Sequence, residues 1–193
     1  EKNHSYDFPN VCFSATTGYT VVAGKKKTHF DASEKQKLTA QNVKEHIVVI
    51  PDSGGKIRVE SVNKQYGHPE YRGIFEIDLV DKALHIINEL QLEEYLYSVV
   101  PSEMPTEYQK EALKAQAVCA RSYAIKQMAG KRLAALGAHV DDSVSFQVYN
   151  NLREDAASIA AVNETKGQVV FAENQVAETY FYSVSAGVSA GIK

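Results

Sequence analysis

Through the first ninety residues, apolar positions come in short β-branched runs divided by turn residues; past residue 91 they recur at helical spacing. "FSATTGYTVVAG" (13–24) and "HIVVIPDSGGKIRVESV" (46–62) read as pairs of strands joined by Gly-containing turns. "IFEIDLVDKALHII" (74–87) breaks at Val80-Asp81-Lys82 between two more strands. A mostly antiparallel sheet is the expectation. The polar segment "DASEKQKLTAQNVKEH" (31–46) is compatible with a loop or a short helix.

Beyond residue 91, Leu92, Tyr95, Leu96 and Val99 follow the i, i+3, i+4, i+7 stripe of an amphipathic helix, which Pro101 is expected to stop. A second helix is expected at once. Thr106 and Gln109 have capping-box spacing, and Glu107 suits the positive end of a helix. The helix should run to about Met128, before Gly130, with its alanines allowing close approach as the central buried helix. Lys110, Lys114 and Arg121 fall on one face. Met104 precedes Pro105 and is biased toward extended backbone, so Glu103 is expected on a short stiff elbow between the helices. Local capping or pairing by Glu103 is the plain alternative. The fold class is α+β: an antiparallel β first half, a helix-elbow-helix segment and a C-terminal hairpin, in one domain over residues 1–193.

Composition narrows the function classes. The chain has 193 residues, 44% hydrophobic and 23% charged, enough for one well-buried domain or at most two small ones. A net charge of -3 and a pI near 6.1 provide no basic stripe for a phosphate backbone, so nucleic acid is not an expected partner. Lys25, Lys26 and Lys27 form the only basic run and read as a solvated hairpin tip. Apolar runs such as Ile47 to Ile50 are far shorter than the ~20 residues of a membrane span. The start "EKNHSYDF", without an initiator Met, reads as a mature or trimmed terminus. Cys12 and Cys119 make no disulfide framework and lack metal-ligand spacing; Cys119 reads as a small thiol filling a packing gap.

"LEEYLYSVVPSEMPTEYQKEALKAQAVCARSYA" (92–124) resembles the signature of the SpoIID/LytB family of bacterial peptidoglycan enzymes and enzyme activators. Weaker similarity covers "YRGIFEIDLVDKALHIINEL", "FQVYNN", "AVNETKGQVV" and "YFYSVSAG". The resemblance implies a lytic transglycosylase that cleaves between N-acetylmuramic acid and N-acetylglucosamine, with Glu103 as its acid. It implies substrate contacts for Ser102, Arg121, Gln147, Tyr149, Tyr182, Ser183 and Ser185. It also implies glycan strands as partner, peptide-stripped as in the sporulation branch, or a cell-wall amidase as in the LytB branch. Action would be extracytoplasmic, at the cell wall or the outer face of a membrane, with any N-terminal anchor lying outside this chain.

A lytic transglycosylase suits a single positioned carboxyl. A hydrolase needs two carboxyl groups, one of them to activate water or attack the sugar. Here one acid protonates the glycosidic oxygen, and its ionised form takes the proton from the muramyl C6 hydroxyl as that oxygen closes the ring. Such an acid needs a raised pKa. Glu93, Glu94, Glu107 and Glu111 are expected to face water or helix starts, without a chemical role. Gln147 and Tyr149 either bind sugar or form a strand with an outward Gln and a packed Tyr. Arg121 either orients a carboxylate in the site or pairs on the helix surface.

Three features depart from the family pattern. Ala186 replaces the first glycine of a usual pair ending at Gly187. The chain ends at Lys193, where relatives commonly continue, which implies a fragment or an open cleft. Some relatives bind zinc before the Gln-x-Tyr landmark, but here only His139, Asp141 and Asp142 remain, so neither a structural zinc nor any cofactor is expected. His139 reads as a surface loop residue.

Overall fold

The computed structural model describes residues 8–150 and 152–182. Among the described residues, nine strands occupy the first half: β1 (Asn10–Ala15), β2 (Tyr19–Ala23), β3 (Lys26–Phe30), β4 (Gln36–Thr39), β5 (Ile47–Pro51), β6 (Ile57–Val59), β7 (Glu70–Tyr71), β8 (Ile74–Val80) and β9 (Ala83–Glu89). They form two antiparallel sheets, ordered β3-β2-β5-β8-β9 and β4-β1-β6-β7. The β8–β9 hairpin turns at Asp81 and Lys82, both at positive φ (48° and 71°), as a tight two-residue turn requires. The β2–β3 hairpin puts Lys25, Lys26 and Lys27 at an exposed tip. The polar 31–46 segment contributes β4, which is neither of the alternatives its composition suggested.

Two expected hairpins do not form. β1 and β2 lie in different sheets, as do β5 and β6. Their Gly-containing turns instead bond to each other, with Thr16 N–H to the Lys56 carbonyl at 2.9 Å and Asp52 N–H to the Gly18 carbonyl at 2.8 Å. A Cβ at Gly55 would overlap Thr17 Oγ1, so glycine serves here for close approach of two crossovers rather than for a hairpin. Val11, Phe13, Tyr19, Val49, Ile57, Phe75 and Ile77, drawn from both sheets, make one apolar core.

The second half holds α1 (Leu92–Glu103), α2 (Lys110–Ala129), a 3-10 turn (Ala134–Leu136) and α3 (Ala156–Glu164). The short hairpin of β10 (Phe171–Ala172) and β11 (Gln175–Val176) follows. The architecture is α+β, as expected. Pro101 does not stop α1, because it falls in the last turn and costs few hydrogen bonds there. Ser102 Oγ donates to the Ser98 carbonyl at 2.6 Å and Met104 N–H to that of Val100 at 3.0 Å. Met104, at φ -142° and ψ 133° before Pro105, ends the helix instead.

The capping box does not form either. A turn with Tyr108 N–H on the Pro105 carbonyl (3.1 Å) delays α2 to Lys110, and Gln109, its N-cap, makes no side-chain cap. The unforeseen α3 carries a readable start signal: Asp155 accepts from the amides of Ala157 and Ser158. Cys12 and Cys119 are free, and Cys119 is half-buried. Among the described residues, no helix is long and apolar enough to cross a membrane.

α1, α2 and α3 enclose a second core around Leu96, Val99, Leu113, Ala117, Ala120 and Val162. Tyr71 packs against both cores, with its ring 5.3 Å from Phe75 and 5.8 Å from Tyr149. Across this seam, Arg72 makes two hydrogen bonds of 2.8 Å to Glu154, which also accepts from Lys56 at 2.9 Å. A single loop, running from Phe146 to Asp155, is thereby held against the strand half.

Candidate active site

Glu103 continues the stripe of Leu92, Leu96 and Val99 by one further helical step, so the last turn of α1 aims a carboxyl along an apolar face. Helical geometry, rather than an extended elbow, therefore fixes its direction; the elbow begins one residue later. Its Oε1 accepts the Val148 N–H at 2.6 Å. Burial pushes the Glu103 carboxyl up from its usual range, and the Val148 N–H, which favours the ionised form, only partly offsets this. With Oε1 occupied as an acceptor, the proton of the neutral acid resides on Oε2, the atom from which it can be donated.

The partner loop is itself pinned on both sides of Val148. Gln147 is 1% exposed; its Nε2 donates to the Ala120 carbonyl and its Oε1 accepts from Tyr95 Oη, each at 3.3 Å. Tyr149 is 6% exposed, stacks near Tyr95 at 5.0 Å and donates its hydroxyl to Asn88 Oδ1 at 2.8 Å. Asn88 is locked in turn by the carbonyls of Arg72 and Ile74. Ser102 Oγ also accepts the Leu152 N–H at 3.3 Å.

The expected substrate contacts divide accordingly. Gln147 and Tyr149 are core anchors on either side of Val148, in an irregular loop rather than the strand considered for them. Arg121 neither reaches the site nor pairs on the surface. At 1% exposure it grips Glu93 through Nε at 2.9 Å and Nη2 at 2.7 Å, and also donates to the carbonyls of Gln168 and Val162. It joins α1 and α2 to the chain around α3, and Lys110, Lys114 and Arg121, expected on one face of α2, all reach α3. Glu93 takes the second of the placements expected for it, the first turn of α1, where it pairs with Arg121 rather than facing water. Lys110 and Lys114 bracket Glu164 of α3.

Tyr182 is exposed, at the end of a segment that follows α2 through Thr179 Oγ1 on the Cys119 carbonyl (2.6 Å). Ser183, Ser185, Ala186 and Gly187 lie outside the described residues. Among the described residues, no three His, Cys, Asp or Glu side chains gather into a metal-binding group, and His139 is exposed.

Asn88, Val148 and Glu154 carry no expectation from the sequence, and Tyr95 carries only its place in the α1 stripe. Asn88, a polar residue inside the apolar run "HIINEL", was the visible clue; a backbone N–H such as that of Val148 has no sequence signature. Nearby, a cleft of about 160 Å³ opens between the 64–70 segment and the loop, lined by Lys64, Tyr66, His68, Asn150, Arg153 and Glu154 among others; Glu103 is not one of its walls.

No solved structure matches the chain. An uncharacterized protein of Brachyspira hyodysenteriae is 29% identical over 187 residues, 96% of this chain and 47% of that protein. Stage II sporulation protein D of Bacillus amyloliquefaciens is 32% identical over 169 residues, 73% of this chain and 48% of its own. The amidase enhancer of Bacillus subtilis is 40% identical over 75 residues, covering 39% of this chain and 10% of that one. The chain thus spans about half the length of the first two relatives. The family model SpoIID, described as Stage II sporulation protein, matches residues 80–171, the stretch that carries Glu103, Arg121, Gln147 and the α3 helix. Through that stretch the chain belongs to the SpoIID/LytB family.

Proposed function

We propose that this protein acts on the bacterial cell wall as a lytic transglycosylase, cleaving the bond between N-acetylmuramic acid and N-acetylglucosamine in peptide-stripped glycan strands. The observation that carries the reading is the Glu103 carboxyl: half-buried, raised in pKa by that burial, and oriented by one backbone N–H. Burial raises it and the Val148 N–H lowers it, and among the described residues no carboxylate adds to the shift. That suits an acid working alone, whereas hydrolysis calls for a second carboxyl. Glu103 protonates the leaving glycosidic oxygen from Oε2. The resulting carboxylate, still held by Val148, accepts the proton of the muramyl C6 hydroxyl as that oxygen closes on C1, so the acid is regenerated without water.

The match to a protein named amidase enhancer favours a second reading, a non-catalytic wall-binding module that stimulates a partner amidase. In either case the place of action is outside the cytoplasm, and residues 1–193 act as one domain. Digestion of peptide-stripped glycan, with mass spectrometry of the ends, separates the two. Anhydromuramyl ends formed by the wild-type chain and reduced ~10²-fold or more in Glu103→Gln support the first reading. No such ends from the folded wild-type chain, together with stimulation of an added amidase, supports the second.

A further inference from the structure

The cleft beside the loop carries charge that the strand half does not neutralise. Its two carboxylates are already engaged: Glu70 by Arg58, and Glu154 by both Arg72 and Lys56. Lys64 and Arg153 are held less tightly. Arg153 is exposed and donates only to the Tyr66 carbonyl at 3.0 Å, with no carboxylate paired to it among the described residues. Lys64 donates to the Tyr149 carbonyl at 3.3 Å and is 3.7 Å from the exposed Asp142, a loose pair in water. Tyr66, 49% exposed, offers an aromatic face at the same cleft.

In a chain of net charge -3, a concave site with surplus positive charge next to an exposed aromatic ring has the chemistry of an acidic sugar site: the ring stacks on the sugar and the cations take the acid. We infer that this cleft binds the carboxylate carried by a sugar of the glycan strand, the lactyl carboxylate of a peptide-free muramyl residue. The volume of about 160 Å³ suits a short acidic substituent rather than a peptide. The inference rests on the glycan reading above and adds a second contact to it. Val148, which holds Glu103, and Arg153 are five residues apart on the loop, so at most ~18 Å of chain separates them. In this binding mode one strand lies across both, and the Leu152 N–H bond to Ser102 ties the loop to the helix that carries Glu103.

The test measures equilibrium binding by the full chain, carrying Glu103→Gln so that strands stay intact. Four ligands are compared: peptide-stripped strands, the same strands amidated at their carboxyls, strands with stem peptides, and N-acetylglucosamine oligomers. Stripped strands should bind about tenfold more tightly than amidated ones, an advantage that Arg153→Gln removes without changing binding of the uncharged oligomers. Lys64→Gln should act in the same direction, with thermal melting to separate any loss of the Tyr149 contact; Arg153, being exposed, is the variant that decides. Equal affinity for stripped and amidated strands overturns the inference, as does an Arg153→Gln effect of the same size on every ligand. Tightest binding of peptide-bearing strands overturns the sugar assignment in favour of a peptide carboxylate. If the wild-type chain yields no anhydromuramyl ends while the charge-dependent binding remains, the catalytic reading fails and the cleft stands.

Discussion

The two halves of the molecule are built by different means. The strand half buries Val11, Phe13, Tyr19, Ile57, Phe75 and Ile77 in an apolar core, and among the described residues Ser14 is its one buried polar side chain. The half after residue 90 buries Ser98, Gln116, Arg121, Ser122, Gln147, Asn150, Ser158 and Thr165. Apolar packing is non-directional and tolerates small displacements; a buried hydrogen bond does not. The second half uses directional contacts where the loop carrying Val148 must stay fixed against Glu103, so the contrast is between a scaffold and a positioning device.

Removing Arg121 should give the largest effect. Arg121→Met leaves Glu93 without its buried partner and takes a donor from three carbonyls, those of Ala117, Val162 and Gln168, at a cost of about 3–5 kcal/mol, a large share of a typical domain's stability. Denaturant unfolding measures it. The double variant Glu93→Met/Arg121→Met should recover much of the stability, since an apolar pair can replace a buried ion pair, yet recover less of any glycan-cleaving activity. Full recovery of both would reduce the pair to ordinary packing and break the contrast.

Phe13→Ala offers the matching test in the scaffold. Phe13 is 0% exposed and truncation should cost about 3–5 kcal/mol, but the folded fraction should keep its activity per molecule, because Phe13 lies in the strand-half core and Glu103 is held by Val148 of the other half. Per-molecule loss equal to that of Arg121→Met would mean that the halves work as one unit.

Tyr149→Phe should be milder. It keeps the ring between Tyr71 and Tyr95 and deletes only the hydroxyl bond to Asn88, costing about 1–2 kcal/mol and leaving Asn88 Oδ1 short of a donor. If Tyr149 anchors the loop, thermal stability falls along with kcat while glycan affinity holds. An affinity loss without a stability change would return Tyr149 to the sugar-contact role expected from its sequence.

Which features could be read in advance follows from the same contrast. The β8–β9 hairpin, the α1 stripe and the place of Glu103 at the end of α1 before Pro105 are local signals carried by neighbouring residues. The crossovers at Gly18 and Gly55 mimicked hairpin turns because glycine marks close approach as readily as positive φ. Glu93 and Arg121 are 28 positions apart, and no period links them. Gln147 and Tyr149, expected to contact sugar, are buried and hydrogen-bonded on either side of Val148, a placement that a motif does not disclose, since it marks residues without saying which of them face outward.

The smallest expected effect, and the most specific, is the pH dependence of Glu103. Its pKa is raised in the folded state, so the folded protein holds this proton more tightly than the unfolded chain, whose Glu titrates near ~4.3. The stability linked to it is fully present below that unfolded value and is lost as pH rises through the raised pKa. Glu154 and Glu60 slope the other way. Burial opposes the ionised form of Glu154, but Arg72 and Lys56 outweigh it, and Lys35 and Ser14 lower Glu60; their contributions are present above the unfolded value and lost as pH falls. Those terms are common to the wild type and Glu103→Gln and cancel in the difference between their melting curves. The wild type should therefore lose stability relative to Glu103→Gln as pH rises from about 4.3 through the Glu103 titration, and the activity attributed to the acid should fall over the same interval. A flat difference curve would mean that Glu103 titrates as in the unfolded chain, and would take from the carboxyl the property that suits it to donate a proton near neutrality.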